Sequence, residues 1–353
     1  MKKIILILCM FLFSCFTVFS EVNVQEENSS VISKECGIVQ DVEYVDINEN
    51  DYVQVKQNVT VKLLNVNDGE NDIVVAENVL TGNPFYDIKL KKGMKVFLNV
   101  EENERGIVFS VEDVQRSHTL IYLSLLFCGL LIFVGRKKGF YSLISIIITC
   151  LLIFYLHVPL LLHGINAVFS TMIICILSTV ITMYLVGGFN KKSTSATLGC
   201  ILSIVFAYIL AFVTVKVAYL TGFSGESSMF LYSVHPEFNF VDLIVSAILL
   251  ATLGAVMDVS MSIASTINEV YEVDNLKTVK ELFVSGMNVG KDVIGTMANT
   301  LILVYLGGSL PLLLLASNID WYKFINLNQV VTEISSALIG SCAIVLCVPL
   351  TAF

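Results

Sequence analysis

Residues 120–134 read LIYLSLLFCGLLIFV, an apolar run without a charged side chain. Six further predominantly apolar runs follow it, and they approach the length that an α-helix needs to cross the hydrocarbon core of a bilayer. This region decides the fold, because it predicts an α-helical polytopic membrane bundle of about seven transmembrane helices. We place these helices at residues 120–134, 141–158, 166–186, 196–217, 241–261, 294–315 and 330–350.

The composition of the whole chain agrees with a membrane protein. Of its 353 residues, 56% are hydrophobic and only 14% are charged, whereas soluble globular domains carry roughly 25% charged residues. The formal net charge is −9. A protein that binds nucleic acid through a basic surface needs clustered Lys and Arg. We therefore expect the lipid bilayer, and no nucleic acid, as a partner of this chain.

The acidic charge is concentrated in one segment. Residues 21–118 contain 19 acidic and nine basic residues, whereas residues 119–353 contain eleven acidic and ten basic ones. An acidic segment of this length can form a small independent domain. Because the first residues resemble a secretory signal, with Lys2 and Lys3 before an apolar run, we expect this domain to be extracytoplasmic.

The resulting domain organisation has four parts. We predict cleavage of the signal after Ser20, with an uncleaved anchor as the alternative. The predicted parts are a signal peptide at residues 1–20, a flexible leader at 21–36, an extracytoplasmic β-domain at 37–117 and a seven-helix transmembrane domain at 118–353.

The predicted β-domain is a small all-β, OB-like barrel. Its short segments alternate apolar and polar residues and are separated by turn sequences that contain Gly, Asn, Asp and Pro. Closing five or six such strands into a barrel removes exposed strand edges. Cys36 is the single cysteine of this part, so no disulfide within it is expected. The predicted strands are residues 38–45, 59–66, 73–79, 86–90, 95–100 and 107–111.

The basic residues predict the orientation of the bundle. Cytoplasmic loops of membrane proteins carry an excess of Lys and Arg. With the β-domain outside, only Lys216 and Lys323 fall in outer loops. We therefore expect a bacterial plasma-membrane protein with a cytoplasmic C-terminus. The eight residues that fall inside are Arg136, Lys137, Lys138, Lys191, Lys192, Lys277, Lys280 and Lys291.

Two polar stripes interrupt the apolar pattern in the fifth and sixth helices. Residues one helical turn apart share a face, and both stripes follow the spacing i, i+4, i+7. We expect the two stripes to face each other or a shared polar cavity near the inner leaflet. The residues of this predicted polar pathway or ion-binding site are Asp258, Ser262, Ser265 and Glu269, then Asn288, Lys291, Asp292, Thr296, Asn299 and Thr300.

Each stripe has a structural interpretation as well as a functional one. Small and hydroxyl residues often mediate hydrogen bonds and close packing between membrane helices. Asp258 and Asp292 could also lie near the interface and contact water. The functional interpretation is an ion or proton relay, because a charged side chain at bilayer depth is costly unless it faces water or a partner.

A helix break is predicted in the sixth span. Gly307 and Gly308 loosen the helix, and Pro311 removes a backbone donor. Broken helices at membrane depth often line a cavity, although a simple kink near the outer interface explains the same residues. Glu333 is expected to pair with Lys323 or to face water.

The remaining motifs do not indicate catalysis. The spacing of Cys and His residues does not form a metal-ligand pattern, and His235 with Glu237 supplies too few ligands. The sequence also lacks a nucleophile triad and a phosphate-binding loop. We therefore expect no enzyme activity, no metal and no cofactor.

Eight segments carry motifs of one known protein family. They are LTGNPFYD (80–87), GRKKG (135–139), VGGFNKK (186–192), LGAVMDVSMSIAS (253–265), ELFVSGMNVGKD (281–292), NTLIL (299–303), GGSLP (307–311) and VPLTA (348–352). These segments resemble the bacterial YibE/F-like membrane protein family. The resemblance covers most of the mature chain and implies an integral membrane protein with an exported N-terminal domain, without implying a reaction. Lys291 departs from it, because Arg is commoner there and forms bidentate contacts that Lys cannot.

Two functions remain open from the sequence. The leading hypothesis is transport of a small solute or ion through a polar path between the fifth and sixth helices. The alternative is a non-transporting scaffold or sensor whose exported barrel binds an envelope partner.

Overall fold

The computed structural model describes residues 31–46, 55–64, 73–83, 87–103 and 106–353. The predicted signal peptide and the first part of the predicted leader lie outside the described residues. Two compact units can be separated, with the boundary after Gly129. The first contains the β-domain and the second contains most of the helical region.

The described β-domain is a closed five-stranded barrel. Its strands are β1 (Val31–Asp46), β2 (Val55–Leu63), β3 (Ile73–Leu80), β4 (Lys95–Asn103) and β5 (Gly106–Val114). Their order around the barrel is β1-β2-β3-β5-β4, and β1 closes it by pairing with both β2 and β4. Only β3 and β5 pair in parallel. The prediction of a small OB-like barrel is confirmed.

The interior of the barrel explains why one predicted strand is absent. Residues 87–90 are not a strand, so the prediction of a strand at 86–90 is wrong for its described part. The Ile88 carbonyl accepts a hydrogen bond from Asn78 Nδ2 at 2.7 Å, and the Leu90 N–H donates to Gln57 Oε1 at 3.3 Å. Side chains from β2 and β3 thus replace the backbone partners that a strand would need.

The predicted leader also ends earlier than expected. Strand β1 begins at Val31 and pairs with β4 from that residue onward. Assignment of residues 31–36 to a flexible leader is therefore wrong. The long β1 pairs on both of its sides, and this pairing orders residues whose polar composition suggested a flexible segment.

The helical region follows directly after the barrel. A π-helical turn at Leu152–His157 and a 3-10 turn at Ala316–Asn318 lie between helices. The α-helices are α1 (Ser117–Leu151), α2 (Val158–Leu162), α3 (Ala167–Gly187), α4 (Lys191–Val217), α5 (Glu226–Val234), α6 (Phe240–Val273), α7 (Val279–Gly308), α8 (Leu310–Leu315), α9 (Trp321–Ile325) and α10 (Asn328–Ala352).

Within the described residues, six helical segments are long and apolar enough to span a membrane, against the seven predicted spans. The first of them, Ser117–Leu162, contains the first two predicted spans. Its backbone is not helical at Arg136, where φ is 48° and ψ is −124°. A Cβ on Gly139 would overlap the Leu131 carbonyl oxygen, although residues eight apart in a straight helix are about 12 Å apart. The chain therefore turns back at Arg136.

Helix α7 begins 15 residues before the predicted sixth span. Hydropathy placed the start of this span at residue 294, because the preceding turns are rich in polar residues. The helix starts with a capping box, in which Glu281 N–H donates to Thr278 Oγ1 at 3.4 Å and Thr278 N–H donates to Glu281 Oε2 at 2.8 Å. The sequence Thr-x-x-Glu is the signal that could have located this start.

The centre of the bundle is formed by α4, α6 and α10. These three helices pack against one another, α3 packs on α4 and α6, and α7 packs on α6 and α10. Ala211, Leu249, Val256 and Ala343 are fully buried where they meet. The small side chains of Ala211 and Ala343 let the helices approach closely.

Candidate functional site

The first predicted stripe lies on the outer surface of α6. Asp258, Ser262 and Glu269 are exposed in the single chain, and Ser265 is half-buried. We call these four residues the α6 polar face. The surface beside it is open, because no atom lies within 4 Å of the position that a Cβ on Gly254 would occupy. Gly254 precedes Asp258 by about one helical turn.

The second predicted stripe lies on the outer surface of α7. Only 6% of the 18-residue apolar window of this helix is buried, against 22–56% for the other five candidate spans. Its polar residues are all exposed in the single chain. We call them the α7 polar face: Asn288, Lys291, Asp292, Thr296, Asn299 and Thr300.

The two acidic residues lie deep along their helices. Asp258 and Asp292 are within two residues of the midpoints of α6 and α7. With a rise of about 1.5 Å per residue, each lies roughly 20 Å or more from both ends of its helix.

The two polar faces do not meet in the single chain. Helix α7 instead packs through its opposite side, where Gly286 contacts Ile267 of α6 and Gly290 contacts Val348 of α10. A Cβ on Gly290 would overlap the Val348 side chain. The expectation that the stripes face each other is therefore wrong, and the predicted path is not enclosed between α6 and α7.

Three of the four hydroxyl groups of the two faces are satisfied by their own helices. Ser262 Oγ donates to the Asp258 carbonyl at 2.8 Å, and Thr300 Oγ1 donates to the Thr296 carbonyl at 2.9 Å. Thr296 Oγ1 donates to the Val293 carbonyl at 3.1 Å. Such bonds are common for Ser and Thr in helices, so these residues need no further partner.

The charged and amide side chains of the faces remain without partners. Within the part of the chain that the structure describes, no hydrogen bond or ion pair reaches the side chains of Asp258, Asn288, Lys291, Asp292 or Asn299. A carboxylate has no donor to offer the i−4 carbonyl, and the amides of Asn288 and Asn299 form no such bond among the described residues. They are therefore available to water, to a solute or to another protein.

The helix break adjoins a cavity at the other end of α7. Helix α7 ends at Gly308, Ser309 is its C-cap, and Pro311 lies in the first turn of α8. A cavity of about 430 Å³ opens between the end of α7, the helices α8 and α9, and the start of α10. Glu333 and Tyr305 line it together with Trp321. We call it the α7–α10 cavity.

Sequence reasoning identified only part of this cavity. It located the break at Gly307, Gly308 and Pro311 and noted Glu333, but it did not consider Tyr305 or Trp321. Among the described residues, Glu333 forms no ion pair, so the expected pairing with Lys323 is absent. The three-residue turn at Ala316–Asn318, which sequence patterns do not reveal, leads into α9 and its Trp321.

The loop histidine considered as a ligand has a carboxylate partner. His235 Nδ1 lies 2.9 Å from Glu237 Oε1, and both side chains are solvent-accessible. A hydrogen bond from its own backbone N–H, followed by the one from His235, holds the pKa of Glu237 below its ordinary value. Within the described residues, no three His, Cys, Asp or Glu side chains come together as a metal site.

Comparisons with known proteins identify both parts of the chain. Residues 123–353 match the family model described as YibE/F-like protein. Residues 30–114 match the model of the YibE/F family N-terminal domain. The resemblance predicted from the sequence motifs is confirmed. No curated protein and no solved structure matches the chain.

Proposed function

The chain belongs to the YibE/F-like family, and we propose that this multi-pass membrane protein transports a small solute or ion along its α6 and α7 polar faces. The observation that carries the proposal is the outward position of Asp292, Asn288 and Asn299 near the middle of a candidate span. Their side chains make the polar surface to which a moving solute would bind.

Exposing the polar faces to lipid would cost free energy. A charged side chain at the centre of a membrane helix costs roughly 3 kcal/mol on insertion scales, and more by other estimates. Asp258, Lys291 and Asp292 therefore favour an arrangement in which water or protein, and not lipid, covers these faces. Water along each face would satisfy these groups, and the carboxylates of Asp258 and Asp292 favour a cation as the transported species.

The orientation of this path follows from the basic residues. We propose that the barrel is extracytoplasmic and that the C-terminus is cytoplasmic, in a bacterial plasma membrane. The turn at Arg136, the start of α4 with Lys191, and the loop before α7 with Lys277 would then all lie in the cytoplasm, in agreement with the positive-inside rule.

Flux measurements in reconstituted vesicles test the proposal. Proton and Na⁺ entry would be recorded with internal dyes for the wild type, Asp258→Asn, Asp292→Asn and the control Glu226→Gln. Glu226 is an exposed carboxylate in α5, outside both polar faces. We expect at least one cation to enter, and both Asn variants to lower its initial rate about tenfold while the control does not.

Two results of the flux measurements would contradict the proposal. Equal flux in wild type and both Asn variants, with unchanged elution on size-exclusion chromatography, would contradict the polar path. If neither protons nor Na⁺ enter faster than they enter vesicles without protein, transport of these two cations is excluded and the second candidate function is favoured.

The second candidate function is a scaffold or sensor, and one feature of the barrel favours it. The outward side of β3 exposes three apolar side chains, Ile73 at 54%, Val75 at 60% and Val79 at 47%. Apolar side chains clustered on a barrel surface are typical of sites that bind another protein. In this function the barrel would bind an envelope partner, and the polar faces would contact another membrane protein.

A further inference from the structure

The α7–α10 cavity has the size and the walls of a small-molecule site. Its volume of about 430 Å³ falls in the range of roughly 300–1,000 Å³ that ligand pockets occupy. Most of its lining is apolar, including Leu306, Leu312, Phe324 and Ala337. Phe324 is 2% exposed, so the inner wall of the cavity is a packed part of the protein.

Three polar features stand among these apolar walls. Glu333 supplies a carboxylate, Tyr305 a phenol and Ser309 a hydroxyl. Glu333 is half-buried and lies in the second turn of α10. The end of α7 at Gly308 adds the partial negative charge of a helix C-terminus. The polar part of the cavity is therefore negative.

The carboxylate has no compensating charge in the protein. Among the described residues, no Lys, Arg or His side chain forms an ion pair with Glu333. A carboxylate surrounded by apolar groups is unfavourable unless a cation or a hydrogen-bond donor joins it. Trp321 adds an aromatic face at the same cavity, and aromatic faces attract organic cations.

From these features we propose that the α7–α10 cavity binds an organic ammonium ion with an apolar body. The ammonium group would lie against Glu333 and the body against Leu306, Leu312 and Phe324. An anion would be repelled by Glu333 and by the end of α7. An uncharged apolar molecule would leave the carboxylate uncompensated. The inference goes beyond transport and does not depend on flux along the polar faces.

Two sources could supply this chemistry, a free organic cation and the ammonium headgroup of a lipid. Glu333 lies about 8 Å along the axis from the first residue of α10. This position is within reach of a dissolved ion as well as of a headgroup. The shared recognition element is the ammonium group, and the lipid composition of the test separates the two sources.

The chain provides its own reporter, because Trp321 is its single tryptophan. The full-length protein would be placed in nanodiscs of phosphatidylglycerol, which has no ammonium group, and titrated with benzyltriethylammonium while tryptophan fluorescence is recorded. We expect a saturable change for the wild type. Benzyl alcohol and benzenesulfonate, as uncharged and anionic probes with the same ring, should not produce a saturable change.

Variants separate the carboxylate from the shape of the cavity. Glu333→Gln should lower the affinity for benzyltriethylammonium about tenfold, and the control Glu226→Gln should leave it unchanged. Leu313→Phe, which narrows the cavity at a lining residue, should also weaken binding and keeps the test informative if Glu333→Gln is poorly folded. A lower apparent affinity for benzyltriethylammonium in nanodiscs of phosphatidylcholine than in those of phosphatidylglycerol would identify the lipid headgroup as a competing occupant.

Three results would contradict the proposed ammonium site. The same affinity for Glu333→Gln and wild type, or the same affinity for the benzyl alcohol and ammonium probes, would overturn the proposal. So would a wild type whose tryptophan fluorescence does not change saturably. None of these results would alter the interpretation of the flux experiment, because Glu333 and Trp321 belong to neither polar face.

Discussion

Helices α7 and α10 are neighbouring spans that place their polar residues on opposite sides. Of the apolar window of α10, 56% is buried, against 6% for α7. In α10, Thr332 and Ser336 are buried, and their hydroxyls donate to carbonyls four residues earlier at 2.8 and 2.7 Å. On the α7 polar face, Asn288, Asp292 and Asn299 point outward, and their side chains have no partner among the described residues.

This difference distinguishes polar residues that serve packing within the bundle from polar residues that are available for contacts outside it. A hydroxyl satisfied by its own helix can be buried at little cost, so α10 uses Ser and Thr where small side chains help packing. The carboxylate of Asp292 has no donor for a carbonyl of its own helix, and Asn288 and Asn299 form no such bond among the described residues. Their outward position on α7 therefore indicates a surface that contacts water, a solute or another protein.

The largest effect on stability is expected on the inner side of α7. Gly290→Leu would overlap Val348 of α10 and should lower the free energy of unfolding by about 3 kcal/mol through overpacking. Gly295→Leu is the matched control, because no atom lies within 4 Å of its Cβ position. The thermal stability of both variants is measured in detergent, with size-exclusion chromatography after heating as the readout. Equal loss for the two variants would contradict the assignment of inner and outer sides.

The barrel sharpens the comparison with amides that point inward. Gln57 and Asn78 are 0% and 7% exposed, and Asn78 Nδ2 donates to Gln57 Oε1 at 2.7 Å. Asn78→Leu removes the donors to Gln57 and to the Ile88 carbonyl, and should cost about 2 kcal/mol. The control Asn58→Leu changes the residue next to Gln57 on β2, whose side chain points to the other face of the strand and is only half-buried.

Hydrogen exchange of β2 and β3 in the full-length protein measures this prediction. Protection should fall for Asn78→Leu and remain near the wild-type level for Asn58→Leu. Unchanged protection in Asn78→Leu would show that a buried amide pair is dispensable in the barrel, and would weaken the argument that unpaired amides on α7 require a partner.

Hydropathy and alternation predicted the architecture because they report local burial. The barrel strands around Val59 and Val61 alternate with exposed neighbours, and the spans are long apolar runs. The strand expected at residues 86–90 failed for a non-local reason, since its backbone partners are side chains of Gln57 and Asn78 on other strands. No periodicity within residues 86–90 encodes those bonds.

The stripes themselves were predicted, but their direction was not. Helical spacing places Asp292, Thr296 and Asn299 on one face of α7 without indicating whether that face points inward. The direction is set by Gly286 and Gly290, whose missing side chains let α7 pack closely on α6 and α10. Which face packs thus depends on complementary shapes of residues that are far apart in the sequence.

The central claim is that water, and not lipid, covers the α7 polar face. It is tested most directly by the reaction of a water-soluble methanethiosulfonate reagent with Thr296→Cys and with Leu202→Cys in open membrane fragments. Both positions lie near the middle of a candidate span and are exposed in the single chain. Thiolates form and react in water, and much less in apolar surroundings.

The two positions should behave differently. After subtraction of labelling in the wild-type chain, the account predicts that Thr296→Cys reacts at least about tenfold faster than Leu202→Cys. Of these two positions, only Thr296 lies on a face that contacts water. Equal and slow reaction at the two positions would contradict a hydrated polar path along α7.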